Sequence, residues 1–189
     1  FKLKLRRCNF RFSSKTFRMF LMIETERFIL RKFIEKDVDA VFAMRADADV
    51  MQFIREPQKR QEAINWIKLV SSKWESRKVG LCAVILKETN EFVGWCGLWV
   101  LAETDEIEVG YAIAKRFWRN GFAYEAAQAA LNYGFSTLNL PKIVACANPL
   151  NEVSQAVMKK LGMTFDHIGK YYGKDLVHYT IKKDDFLRN

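Results

Sequence analysis

From Val109 to Phe135 the chain reads VGYAIAKRFWRNGFAYEAAQAALNYGF, a stretch whose residue types could hold an anion. Glu108, Gly110 and Ala112 alternate with Val109, Tyr111 and Ile113, the period-two pattern of a strand. Lys115–Gly121 is a basic turn containing glycine. Phe122, Ala126 and Ala130, with Ala127 and Leu131, then recur at helical spacing. The first amides of a helix have no intrahelical partner, point out of its positive end and can hold phosphate. Gly121 tolerates positive φ and close backbone approach, while Lys115, Arg116 and Arg119 add charge at the rim. The spacing GxxxxGK followed by Ser or Thr is absent, which excludes an ATP-type P-loop, and the absence of GxGxxG gives no support to a dinucleotide fold.

The remaining reactive residues suggest less chemistry. Cys8, Cys82, Cys96 and Cys146 are widely spaced, without a CxxC or CxH pairing. Disulfides and structural zinc are therefore not expected, and a reduced, cytosolic protein is the default. His167 and His178 are eleven residues apart on two expected strands, which is not a metal-ligand spacing, so no metal is expected. His178 reads as a strand-surface or pocket-wall residue. Tyr171, Tyr172, Trp95 and Trp99 read as core.

With 189 residues, half of them hydrophobic and including 15 Phe and 5 Trp, the chain can bury one sizeable core, and one domain is expected. No apolar run reaches the ~18 residues of a membrane helix. The net charge of +9 is unevenly placed. Residues 1–21 hold seven Lys and Arg and no acid; without them 24 basic residues face 22 acidic ones. Nucleic-acid binding would thus have to come from this leader, not from the nearly neutral body at 22–189. The leader reads either as an over-extended reading frame or fragment boundary, or as a basic targeting or nucleic-acid-binding arm.

The elements that must position the turn follow in order. A strand is expected at Arg27–Phe33, then a helix at Val38–Arg45 with Asp37 as N-cap, and a loop at Ala46–Pro57. A second helix follows at Gln58–Ser76. Gly80–Leu86 and Phe92–Val100 read as a hairpin, and Glu106–Ile113 as the next strand. The central turn leads into a helix to about Thr137, a strand at Lys142–Ala147 and a helix at Glu152–Leu161, with Gly162 at C′. Two strands, Thr164–Lys170 and Leu176–Ile181, close the chain around a turn through Gly173. The order implies an α/β class with a mixed sheet, not a regular βαβ repeat.

Four stretches in this order resemble the GNAT acetyltransferase superfamily, and within it the branch of ribosomal-protein N-terminal (alanine) acetyltransferase-like enzymes. They are ETERFILRKFIEKD, IEVGYAIAKRFWRNGFAYEAAQAALNYGF, NEVSQAVMKKLGM and YYGKDLVHYTIKKDDF, and the likeness spans about Ile23–Phe186. The second resembles the acetyl-CoA signature, with Trp118 where the generic form has Gln or Arg. The resemblance implies a single domain with a mixed, mostly antiparallel central sheet flanked by helices. It implies acetyl-CoA as cosubstrate, no metal, an amine acceptor such as a peptide or protein N-terminus, and a possible homodimer. Pantetheine would run along Tyr111, Ala112 and Ile113 like an added strand. Pyrophosphate would meet the turn formed by Trp118, Arg119, Asn120, Gly121, Phe122 and Ala123. Asn151 and Ser154 would reach the pantetheine arm; Asn151 also reads as a simple N-cap.

The resembled chemistry is direct attack of an amine on a thioester. A backbone N–H near Ile113 would serve as oxyanion donor. Glu108 is the first choice of general base, on the face opposite Val109; its other reading is a solvated strand carboxylate. Glu103, Asp105 and Glu106 could attract a cationic acceptor. The tyrosine that many relatives place four residues before Gly162 is Met158 here, and a glutamate that some carry is Cys146. A weak base suits an α-amine better than lysine, which costs ~4–5 kcal/mol to deprotonate at neutral pH against ~1 kcal/mol for an α-amine. A small-molecule amine acetyltransferase and a non-catalytic acyl-CoA-binding domain are the rival readings.

Overall fold

A computed structural model describes residues 22–188, so the basic leader lies outside the described residues. Alternation in the central strands explains the layers. In Leu81–Leu86 (β3), Leu81, Ala83 and Ile85 pack into one buried cluster while Cys82 and Val84 pack into another. The first cluster is completed by Val38–Ala46 (α1), Ala48–Met51 (α2) and Arg60–Arg77 (α3) through Val41, Met44, Val50, Met51, Ile67 and Val70. The second is completed by Phe122–Asn132 (α4) and Glu152–Lys160 (α5), whose Phe122, Ala126, Ala130, Leu131 and Met158 are buried. Burying a side chain such as Phe122 contributes about 1.5–3 kcal/mol.

The remaining strands are Met22–Glu24 (β1), Phe28–Arg31 (β2), Phe92–Val100 (β4), Ile107–Ile113 (β5), Lys142–Ala147 (β6), Thr164–Tyr171 (β7) and Lys174–Lys182 (β8). They form one eight-stranded sheet in the order β1-β2-β3-β4-β5-β6-β8-β7. Among the described residues β5 and β6 are the only parallel neighbours, and every other pairing is antiparallel. The expected mixed, mostly antiparallel sheet flanked by helices is what forms. No described helix is long and apolar enough to cross a membrane.

Four local expectations need correction. The stretch read as a loop at Ala46–Pro57 contains α2, because the Asp47 carboxylate accepts from the Asp49 and Val50 amides and starts a turn. Asp37 precedes α1 without capping it; its carboxylate instead takes Arg31 through two hydrogen bonds of 2.7 and 2.8 Å and the Ile34 amide. β1 and a terminal helix, Lys183–Arg188 (α6), were not expected, being short elements held by packing, not by their own periodicity. Phe186 of α6 lies 5.0 Å from Phe135.

Candidate active site

β5 and β6 run side by side but do not stay together. Their register contains the single pair Glu108↔Val144. On the other side β5 is bonded to β4 along its length. The Leu101 amide donates to Glu106 O at 2.9 Å and the Ala114 amide to Val93 O at 2.8 Å. By antiparallel alternation, the backbone groups of Glu108, Gly110 and Ala112 face β4, and those of Val109, Tyr111 and Ile113 face β6. Past Glu108 the strands diverge, which leaves the Tyr111 and Ile113 amides on an open strand edge. Ala112 offers only its small side chain, because its backbone is bonded to β4. The Ile113 carbonyl already accepts from Trp118 Nε1 at 2.6 Å.

One mouth of this split meets the start of α4. Arg119 and Gly121 both take left-handed φ, at +64° and +72°. Gly121 sits at the N-cap with no side-chain cap, so the first amides of α4 remain available. An added Cβ at Gly121 would have 3.8 Å to its nearest neighbour, so glycine is needed here for its φ, not for space. The turn is braced from outside. Asn120 Nδ2 donates to Phe117 O and Trp118 O, Arg27 Nη1 donates to Asn120 O at 2.9 Å, and Arg27 Nε donates to Glu125. Phe122 anchors the helix edge-on against Phe28 at 4.8 Å. Of the three rim cations, Lys115 is paired with Asp49 and Arg116 with Glu91, while Arg119 is exposed and has no such partner among the described residues. Arg27 escaped the sequence reading because it lies 93 residues from the Asn120 carbonyl that it holds.

α5 closes the same mouth. Asn151 Oδ1 accepts from the Ser154 amide at 3.1 Å, so it is an N-cap, and its Nδ2 has no partner among the described residues. Tyr111 Oη lies 3.1 Å from Ser154 O and 3.2 Å from Ser154 Oγ, tying β5 to α5 across the split. Met158 is buried in the core and offers no acid.

The opposite mouth is lined by side chains. Glu108 is 7 % exposed and is therefore not a solvated strand carboxylate. Its Oε1 accepts from the Cys146 amide at 3.1 Å, a bond that would otherwise belong to the β5–β6 ladder, so the carboxylate sits as a wedge where the strands part. Its Oε2 accepts from Tyr172 Oη at 2.5 Å. Burial pushes Glu108 up to about 7, against the Tyr172 and Cys146 hydrogen bonds that favour the carboxylate; the nearby Glu103 adds to the rise. Burial and the Glu108 charge raise the Tyr172 phenol, which keeps it a donor.

Tyr172 does not lie in the core as expected. It is 49 % exposed at the tip of the β7–β8 hairpin, with φ +53° beside Gly173 at +73°. Such turns favour Asn-Gly or Asp-Gly, so a tyrosine there is a strained choice, offset by bonds to Glu108 and from its own amide to Glu103 at 2.6 Å. Its place before Gly173 was the one signal that could have singled it out. Lys174 ties the hairpin to the loop after α2 by donating to Ile54 O at 3.0 Å. Glu103 lies near enough to add to the rise at Glu108, whereas Glu106 is paired with Lys142 at 2.5 Å.

The comparisons with known proteins agree with this geometry. The family model described as an acetyltransferase (GNAT) domain matches residues 27–164. An uncharacterised N-acetyltransferase of Bacillus subtilis, YoaA, is 30% identical over 157 residues, covering 82% of this chain and 89% of its own. A GNAT-family acetyltransferase structure from Bacillus anthracis is 29% identical, with a TM-score of 0.74, covering 87% of this chain and 99% of its own. RimL, a ribosomal L7/L12 alpha-N-protein acetyltransferase solved with coenzyme A, shares the fold at 17% identity and a TM-score of 0.74, covering 87% and 99% of the two chains. The split sheet, the uncapped helix start and these likenesses lead to one conclusion: the chain belongs to the GNAT acetyltransferase family and is an N-acetyltransferase.

Proposed function

We propose that the acceptor is the α-amine of a protein or peptide N-terminus and that Glu108 is the general base. The observation that carries this is the buried Glu108 carboxylate at the parting of β5 and β6, pushed up to about 7. An α-amine of pKa near 8 lies within about a unit of that base, so proton transfer is close to balanced. A lysine amine near 10.4 would transfer its proton uphill by about 4–5 kcal/mol. The ribosomal-protein acceptor named for RimL supports the same substrate class.

Acetyl-CoA supplies an activated acetyl thioester. On this reading the open strand edge at Tyr111 holds the pantetheine arm as an added strand, and the Asn151 Nδ2 and the Ser154 hydroxyl lie beside it. The amides from Arg119 to Ala123 and the Arg119 charge receive the pyrophosphate. Trp118 fixes the Ile113 carbonyl and so the edge of that strand. Phe122 and Gly121 set the course of the turn. From the opposite mouth the ammonium of the acceptor gives one proton to Glu108 and becomes nucleophilic. Its nitrogen forms the new C–N bond as the C–S bond breaks, and the nitrogen's surplus proton goes to the departing thiolate. The Ile113 amide is the oxyanion donor. Tyr172 orients Glu108 and holds part of its charge.

The test is thiol release from acetyl-CoA with peptides bearing a free N-terminus, the same peptides blocked at the N-terminus but carrying lysine, and small amines. The highest kcat/KM is expected on free α-amines. Release only with blocked lysine peptides or small amines would contradict the acceptor, and acetyl-CoA binding without turnover on any of the three would favour a binding domain.

A further inference from the structure

The outer half of the sheet holds a second cluster that acetyl transfer does not use. β7 pairs with β8 through Phe165↔Tyr179 and His167↔His178, with a register break that leaves Asp166 as an extra residue. A bulge of this kind turns two successive side chains to one side. Phe165 packs on Tyr179, with ring centroids 5.8 Å apart, while Asp166 and His167 both turn toward His178. The two histidines, eleven apart in sequence, thereby stack with ring centroids 4.6 Å apart. Sequence spacing gave no sign of this, because strand pairing and not helical or loop proximity brings them together.

The ring nitrogens are sorted by their neighbours. His178 Nε2 lies 3.3 Å from Glu106 Oε2. A carboxylate only accepts, so that nitrogen turns a proton toward Glu106. His167 Nε2 lies 2.9 Å from Tyr171 Oη. Both outward nitrogens thus have the orienting oxygen partner that metal-bound histidines have. Both inward nitrogens face one carboxylate oxygen: Asp166 Oδ2 is 3.2 Å from His167 Nδ1 and 3.4 Å from His178 Nδ1. His178 is 1 % exposed, and its Nδ1 makes no hydrogen bond although it lies 3.4 Å from the Asp166 carboxylate, so a buried ring nitrogen aimed at that carboxylate is left unsatisfied. Tetrahedral zinc with bonds of about 2.0–2.1 Å would space neighbouring ligand atoms by about 3.3 Å, which is the spacing found on these two edges. All three donor atoms lie within 4.8 Å of one another.

We infer that Asp166, His167 and His178 form a site for a divalent transition ion, Zn²⁺ best fitting two imidazole nitrogens and one carboxylate oxygen, with water as fourth ligand. The ion cross-links the edge strand β7 to β8. It replaces the unpartnered Nδ1 contact with two metal–nitrogen bonds, and on binding the ligands lose any remaining Nδ1 proton to solvent. The site is remote in role from the amine chemistry and does not depend on the acceptor proposed above.

The test uses the full chain, reduced and freed of metal with a chelator. Zn²⁺ is titrated by calorimetry, and Co²⁺ by its visible absorption. Wild type is expected to bind one ion per chain with nitrogen and oxygen ligands, and Zn²⁺ is expected to raise Tm. His167→Ala and Asp166→Ala change exposed residues and are each expected to weaken binding by tenfold or more. No saturable binding by wild type would overturn the site. So would undiminished binding in both variants, or a thiolate absorption band with Co²⁺ that assigns the ion to cysteine.

Discussion

The two mouths of the β5–β6 split are built by different means. The mouth at α4 is made of backbone: uncapped amides, two left-handed residues and an open strand edge, nearly all within Tyr111–Ala123. The mouth at the hairpin is made of side chains from distant parts of the chain. Tyr172 reaches Glu108 across 64 positions and Glu103 across 69, and Lys174 reaches Ile54 across 120. A ligand shared by a whole family can be held by amides that any sequence provides, given the right φ angles. An acceptor that differs from one member to the next needs side chains, and these come from loops free to change.

That contrast can be broken in order of expected effect. Glu108→Gln should lower turnover by about 10²–10⁴-fold while leaving acetyl-CoA affinity unchanged, since Glu108 lies in the mouth at the hairpin, away from the α4 turn. Steady-state thiol release and calorimetry separate the two.

The same variant has a stability signature. Glu108 titrates near 4.5 in the unfolded chain and near 7 when folded, so between these values the folded state holds the extra proton. Wild-type stability should therefore fall as pH rises across that window and level off above it, by roughly 2–4 kcal/mol. Glu108→Gln, whose amide can still accept from Cys146 N–H and bond Tyr172, should lack this fall. Urea titrations at a series of pH values would show it, and an equal slope in both proteins would refute the buried-carboxylate account.

Gly121→Ala sharpens the comparison from the other side. Holding a residue with a Cβ at φ +72° costs about 1–2 kcal/mol, so the turn should relax and its amides lose their aim. Acetyl-CoA affinity should drop about tenfold with turnover at saturation nearly kept. Tyr172→Phe should act least, by several-fold near neutral pH. Its hydroxyl favours the Glu108 carboxylate, so removing it should raise the Glu108 pKa and move the rising limb of the pH–rate profile to higher pH.

The same contrast explains what the sequence could reveal. The α4 turn was legible because strand, glycine and helix start are contiguous and each follows from local pattern. Glu108 was legible as a candidate because period-two alternation assigns it a face. Its burial was not, since that depends on Tyr172 folding back from the hairpin tip and on Cys146 arriving from β6. Asp37 looked like a helix cap from sequence, yet an arginine six residues earlier claimed its carboxylate. The His167–His178 pair was hidden for a related reason, because a one-residue bulge decides which face Asp166 takes.

The most direct measurement is acetyl-CoA calorimetry on wild type and Glu108→Gln, followed in the same samples by thiol release on adding a peptide with a free N-terminus. Equal binding in both proteins, with release confined to wild type, is the expected result. Full release by Glu108→Gln would remove Glu108 from the chemistry, and loss of binding in that variant would mean that the two mouths of the split are not separate.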